Sequence, residues 1–133
     1  MTYPITTSLQ VEAHDAWLAE MRDEHPYELY IWINPKTALQ KGLGDGEEVY
    51  VESSYGKVTG KLKVTQLIHP QVLGIPGCYG SGTMFMSPDS RKGTHFNSLL
   101  SGEEEKCIDP ISGSITISPK VKIYKLESRG KRK

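Results

Sequence analysis

Gly93-Thr94-His95-Phe96-Asn97-Ser98-Leu99-Leu100 concentrates the hydrogen-bonding chemistry of this chain: an amide, two hydroxyls and an imidazole stand beside apolar anchors. The Asn97 side chain offers a donor and an acceptor on one edge. Such a set suits recognition of a polar ligand rather than attack on it. No carboxylate pair, Ser/His/Asp arrangement or phosphate-binding Gly-Lys motif stands out elsewhere. Cys78 and Cys107 stand alone, without the spacing of a metal or iron–sulfur site. Two free thiols are the default reading, with one disulfide as the alternative.

The cluster lies in a segment from Pro76 to about Ile115 that has little periodicity and is rich in glycine. Compact domains rarely keep an irregular stretch of that length unless it binds something, so binding is favoured over a plain surface excursion. The elements around it read mostly as strands. Thr2 to Ser8 and Tyr27 to Ile33 are strand candidates, and residues 12–22 have helical spacing, with Val11, His14, Leu18 and Met21 recurring beside Trp17. Asn34-Pro35 opens a short helix over 35–41: Asn34 suits the N-cap, Pro35 the first helical position and Gly42 the residue past the end.

Val49 and Val51 then alternate with Glu48, Tyr50 and Glu52, as in a half-buried strand. Ser53-Ser54-Tyr55-Gly56 reads as a hairpin turn, and Val58, Leu62 and Val64 resume the alternation, with Gly60 on the inward side as at a bend or bulge. His69-Pro70 marks a turn before a strand over Val72 to Pro76, and Val121 to Leu126 is the last strand. The predicted core is Ile33, Val49, Val51, Val58, Leu62, Val64, Val72, Ile75, Val121 and Ile123. Short strands punctuated by turns argue for a small barrel or sandwich.

At 133 residues the chain is one domain by size. Sixteen basic and sixteen acidic residues cancel, so no overall field recruits nucleic acid or an anionic membrane. The charge is uneven: residues 1–30 hold six acids against Arg22, and residues 120–133 hold seven bases against Glu127. Residues 1–128 read as the domain and 129–133 as a solvated basic tail. No apolar run approaches the ~18 residues of a membrane span. With no secretory signal visible, a cytoplasmic location is expected, or a periplasmic one if the chain is a fragment of an exported enzyme.

The order of motifs is more specific than any one of them. Ile33-Asn34-Pro35-x-Thr37-Ala38 is followed by Gly42-Leu43-x-Asp45-Gly46-x-x-Val49-x-Val51-x-Ser53 and Tyr55-Gly56-x-Val58. Then come His69-Pro70-x-Val72, Gly93-x-His95-x-Asn97-x-Leu99, Asp109-Pro110-x-Ser112-Gly113 and Val121-x-Ile123. Over essentially its whole length the chain resembles the C-terminal molybdopterin-dinucleotide-binding domain of the dimethyl sulfoxide reductase family.

The resemblance implies an all-β fold with short helices, a six-stranded double-psi β-barrel. It implies loops that close over a molybdopterin guanine dinucleotide carrying molybdenum or tungsten, bound jointly with other domains. Asn97 is the residue carried over most directly, with His95 and Phe96 beside it. Thr6, Ser8 and Gln10 resemble the family's loop after the first strand, although the Arg and His often found there are absent. The family's metal ligand lies in another domain. The resemblance therefore makes this chain part of a molybdopterin oxidoreductase, not catalytic alone. Its expected partners are the remaining domains or a separate catalytic subunit, as in formylmethanofuran dehydrogenases. The alternative is a cofactor-free double-psi barrel acting as a protein-interaction adaptor. A nucleic-acid barrel ranks last, because only the tail is strongly basic.

Overall fold

The computed structural model describes residues 2–3, 29–77, 80, 93–100, 108–114 and 119–126, and residues 17, 20, 21, 24, 25 and 27 individually. Six strands lie among them: β1 (Thr2–Tyr3), β2 (Ile31–Ile33), β3 (Glu48–Glu52), β4 (Lys57–Val64), β5 (Ile75–Pro76) and β6 (Lys122–Lys125). They are joined by one helix, α1 (Pro35–Lys41), and a 3-10 turn at Phe96–Leu99. The fold is mostly sheet, as the alternation predicts. The strands form a parallel pair, β1–β5, and a four-stranded mixed sheet in the order β2–β4–β3–β6. Neither sheet closes on itself among the described residues. A bridge between Trp32 and Gly74 ties β2 to the chain just before β5, through reciprocal backbone hydrogen bonds of 2.8 and 3.0 Å.

The helix forms where its caps say it should. Asn34 Oδ1 accepts the Lys36 amide at 3.0 Å, and Gly42 takes φ 64° and returns its own N–H to the last turn. A left-handed residue at that position costs glycine nothing. The same Asn34 donates Nδ2 to the Ile68 carbonyl at 2.7 Å, which fastens the helix start to the chain after β4. Thr37 Oγ1 donates to the Pro70 carbonyl and holds the next turn.

β3 and β4 pair antiparallel with Val51 opposite Val58, and β3 pairs β6 with Val51 opposite Ile123. Alternation puts Val49, Val51, Val58, Leu62 and Ile123 on one face, where they are buried with Ile31, Ile33 and Ile75. Burying such a side chain contributes about 1.5–3 kcal/mol. Val64 and Val121 pack at the margin of this core, and Val72 is half-buried.

Three expectations change. The strand expected over Tyr27 to Ile33 is paired only from Ile31, because the chain before it turns through Leu29 at φ 69° and lets the Trp32 indole N–H reach the Tyr27 carbonyl at 2.9 Å. The strand expected over Val72 to Pro76 is reduced to Ile75–Pro76, since Val72 N–H is used in a turn with the His69 carbonyl. Gly60 is neither bend nor bulge: β4 runs unbroken through it, in register with Val49. Its missing side chain leaves room for Thr94 Oγ1 and Ile31 Cδ1, with which a Cβ would collide. Of the helix expected over 12–22, Trp17, Glu20 and Met21 have helical backbone and are exposed; the remainder, like the rest of the segment Thr2 to Ser8 beyond β1, lies outside the described residues.

Candidate functional site

The Gly93–Leu100 cluster is seated on the sheet by its own apolar and hydroxyl side chains. Phe96 and Leu99 enter the core, with 6% and 0% of their surface exposed. Thr94, which the sequence offers as a ligand hydroxyl, is buried and donates Oγ1 to the Thr59 carbonyl of β4 at 3.1 Å. Below the turn, Gly56 comes so close to the Ser98 carbonyl that any Cβ there would strike it. The hairpin tip and the middle of β4 therefore both brace the loop through glycine.

With those contacts made, two polar groups of the cluster are left facing outward. The His95 imidazole, half-buried, has Nδ1 2.7 Å from Ser98 Oγ. That contact engages one ring nitrogen and leaves Nε2 for another group. The Asn97 side chain is exposed, and its amide has no hydrogen-bond partner among the described residues. An amide with a donor and an acceptor, next to an imidazole nitrogen on a braced loop, suits the edge of a flat polar heterocycle.

The other sequence-predicted residues divide clearly. Phe96 sits in the core as the loop's anchor and also lines a cavity on its inner side. Thr6, Ser8 and Gln10 lie outside the described residues, as do Cys78, Cys107 and the basic tail. Asp109 is occupied within its own turn: Oδ1 accepts the Ile111 amide at 3.1 Å and Oδ2 the Ser112 hydroxyl at 2.6 Å. Those bonds, the Ser112 hydroxyl first, hold its carboxyl below the ordinary range. His69 is likewise a turn residue, its Nδ1 accepting the Gln71 amide at 3.2 Å. Among the described residues, no three His, Cys, Asp or Glu side chains are grouped to hold a metal ion, and no helix is long and apolar enough to cross a membrane.

Sequence reasoning missed the cavity. It has a volume of about 530 Å³ and lies between α1, the 70–75 segment, the 3-10 turn and the 119–123 segment. Lys41, Lys120 and Lys122 reach it from segments far apart in the chain. No local pattern could have joined them.

Comparison with known proteins gives the family. Residues 2–117 match the family model described as the Molydopterin dinucleotide binding domain. The chain is 26% identical over 131 residues to a sulfite dehydrogenase polypeptide of Allochromatium vinosum, covering 88% of this chain and 13% of that protein. It is 31% identical over 85 residues to the thiosulfate reductase molybdopterin-containing subunit of Salmonella typhimurium, covering 64% of this chain and 11% of the other. Acetylene hydratase from Pelobacter acetylenicus has a similar fold, with a TM-score of 0.70 at 19% identity, over 94% of this chain and 18% of that one. The chain thus spans well under a fifth of the length of either curated relative. From the family match over most of its length, this chain belongs to the molybdopterin dinucleotide-binding domain family.

Proposed function

We propose that this domain forms one wall of the cofactor pocket of a larger molybdopterin oxidoreductase, with Asn97 and His95 meeting the polar edge of the cofactor. One observation carries the assignment: the exposed Asn97 amide is unpartnered among the described residues, on a loop that Thr94, Phe96 and Leu99 fasten to the fold. Phe96 anchors that loop from below. Thr6, Ser8 and Gln10 belong to the same proposal as a second contact loop. When bound, the cofactor supplies the redox chemistry of its molybdenum or tungsten. This chain's residues bind it, orient it and shield one side of it from water.

In its finer form the reading is a six-stranded double-psi barrel that takes the guanine dinucleotide. Six strands, the parallel β2–β4 and β1–β5 pairs and the Trp32–Gly74 bridge support the barrel. The remaining domains of the same polypeptide, or a separate catalytic subunit, would complete the pocket and contribute the metal ligand. The small share of each relative that this chain spans supports that division of labour.

The test is Asn97→Ala in the assembled enzyme. Truncating an exposed side chain should leave the melting temperature nearly unchanged. A buried polar partner left unmade costs about 1–3 kcal/mol, so cofactor retention should fall roughly ten- to a hundredfold. Metal and pterin content per enzyme is the readout. A variant that melts several degrees lower and keeps its full cofactor would make Asn97 a structural loop residue.

A further inference from the structure

The cavity on the inner side of the 3-10 turn has two features that do not belong together in a free-standing surface. Its walls are mostly apolar, with Val72, Leu73, Phe96 and Val121 beside the polar Thr37 and Gln71. At about 30 Å³ per water, a space of 530 Å³ would hold more than a dozen waters, and releasing those that lie against the apolar side chains is favourable. Its rim carries Lys41 from the end of α1, Lys120 from the chain before β6 and Lys122 from β6 itself. None of the three has an ion-pair partner among the described residues. Lys63 and Lys125, by contrast, are paired with Asp45 and Glu47.

We infer that this cavity is a docking site for an acidic, apolar segment of the rest of the same enzyme, one that inserts an apolar side chain and sets carboxylates against Lys41, Lys120 and Lys122. The inference rests on the reading that the chain is one domain or subunit of a larger oxidoreductase, and it concerns a surface distinct from Asn97. Charge complementarity selects the occupant: three cations around an apolar floor match carboxylates flanking an apolar residue. Insertion would dry the walls and neutralise the rim in a single contact. The positions of the lysines, on two elements far apart in sequence, make the site depend on the folded domain.

Lysine acetylation read by mass spectrometry tests this. The assembled enzyme is compared with the 133-residue chain alone, with exposed Lys36 as the internal control. Lys41, Lys120 and Lys122 should react on the order of tenfold more slowly in the assembly, while Lys36 reacts equally in both. Equal rates at the three rim lysines would overturn the inference. In the Lys120→Glu/Lys122→Glu enzyme, Lys41 should lose its protection, because carboxylates would face carboxylates. Continued protection of Lys41 there would also overturn it. Protection of the isolated chain by guanosine diphosphate or inorganic pyrophosphate would replace the peptide occupant with an anionic small molecule and so refute the inference. Cofactor content measured on the same samples separates the two proposals: an enzyme without pterin but with protected lysines counts against the role of Asn97 and not against the docking site.

Discussion

Asp45 shows how one side chain fastens a turn in this domain. Its Oδ1 accepts the Val64 amide at 2.7 Å and its Oδ2 the Lys63 ammonium at 3.2 Å. The Val64 hydrogen bond is the larger cause, and with the Lys63 charge it outweighs desolvation and holds the Asp45 carboxyl below its ordinary range. Folding therefore favours the ionised form. The stability so contributed is fully present above the unfolded-state pKa and is lost as pH falls through the lower folded value. Asp45→Asn keeps an acceptor for Val64 but not the charge. Its melting temperature should lie below that of the parent at neutral pH and approach it as the pH falls below the ordinary carboxylate range. A constant gap between the two curves across that range would show that ionisation of Asp45 adds nothing. Glu47, held down by Lys125 and then by the Gly44 amide, shifts in the same direction, but its partner Lys125 is exposed and such surface pairs contribute little.

At the scale of elements, the strand–helix–strand unit and the Gly93–Leu100 loop depend on small, specific fittings. Asn34 serves α1 twice, as the cap acceptor and as the donor to Ile68. Asn34→Ala should cost about 0.5–2 kcal/mol from the cap alone, with a further loss for the Ile68 carbonyl, read as a shift in the denaturant midpoint at unchanged slope. Gly60 offers a sharper case. Valine is the better strand former, and on propensity alone Gly60→Val would stabilise β4. Its side chain would instead meet Thr94 and Ile31, so the expected result is a loss of about 1–3 kcal/mol together with displacement of the Gly93–Leu100 loop. Increased stability in a thermal melt would show that the loop can move aside without cost.

The whole molecule rests on one apolar layer. Val51 is fully buried between Val58 and Ile123 on the neighbouring strands. Val51→Asp places a carboxylate there with no partner, costs several kcal/mol and should leave the chain unfolded by circular dichroism at room temperature. The isolated 133-residue chain should show no redox turnover with artificial electron donors, because the metal ligand and the opposite wall of the pocket are assigned to other domains. Reproducible turnover by the purified chain, free of any other polypeptide, would contradict that assignment.

Much of this was legible in local pattern. The caps of α1, the alternation of β3 and β4, the hairpin turn at Ser53–Gly56 and most of the core follow from residue type and a period of two or 3.6, since backbone sterics and burial act over a few neighbours. The ordered run of motifs also pointed to the family. Only the tertiary structure decided how the Gly93–Leu100 loop is used: Phe96 turns inward as an anchor, Thr94 is committed to β4, and Asn97 remains outside. The same holds for Gly60, whose pattern suggested a bulge and whose real constraint is a side chain thirty-four residues away in the chain. The lysine-rimmed cavity exists only because α1 and the 119–123 segment flank the same space. Proximity between distant segments is set by packing of the whole chain, and packing leaves no periodic trace in the residues it brings together.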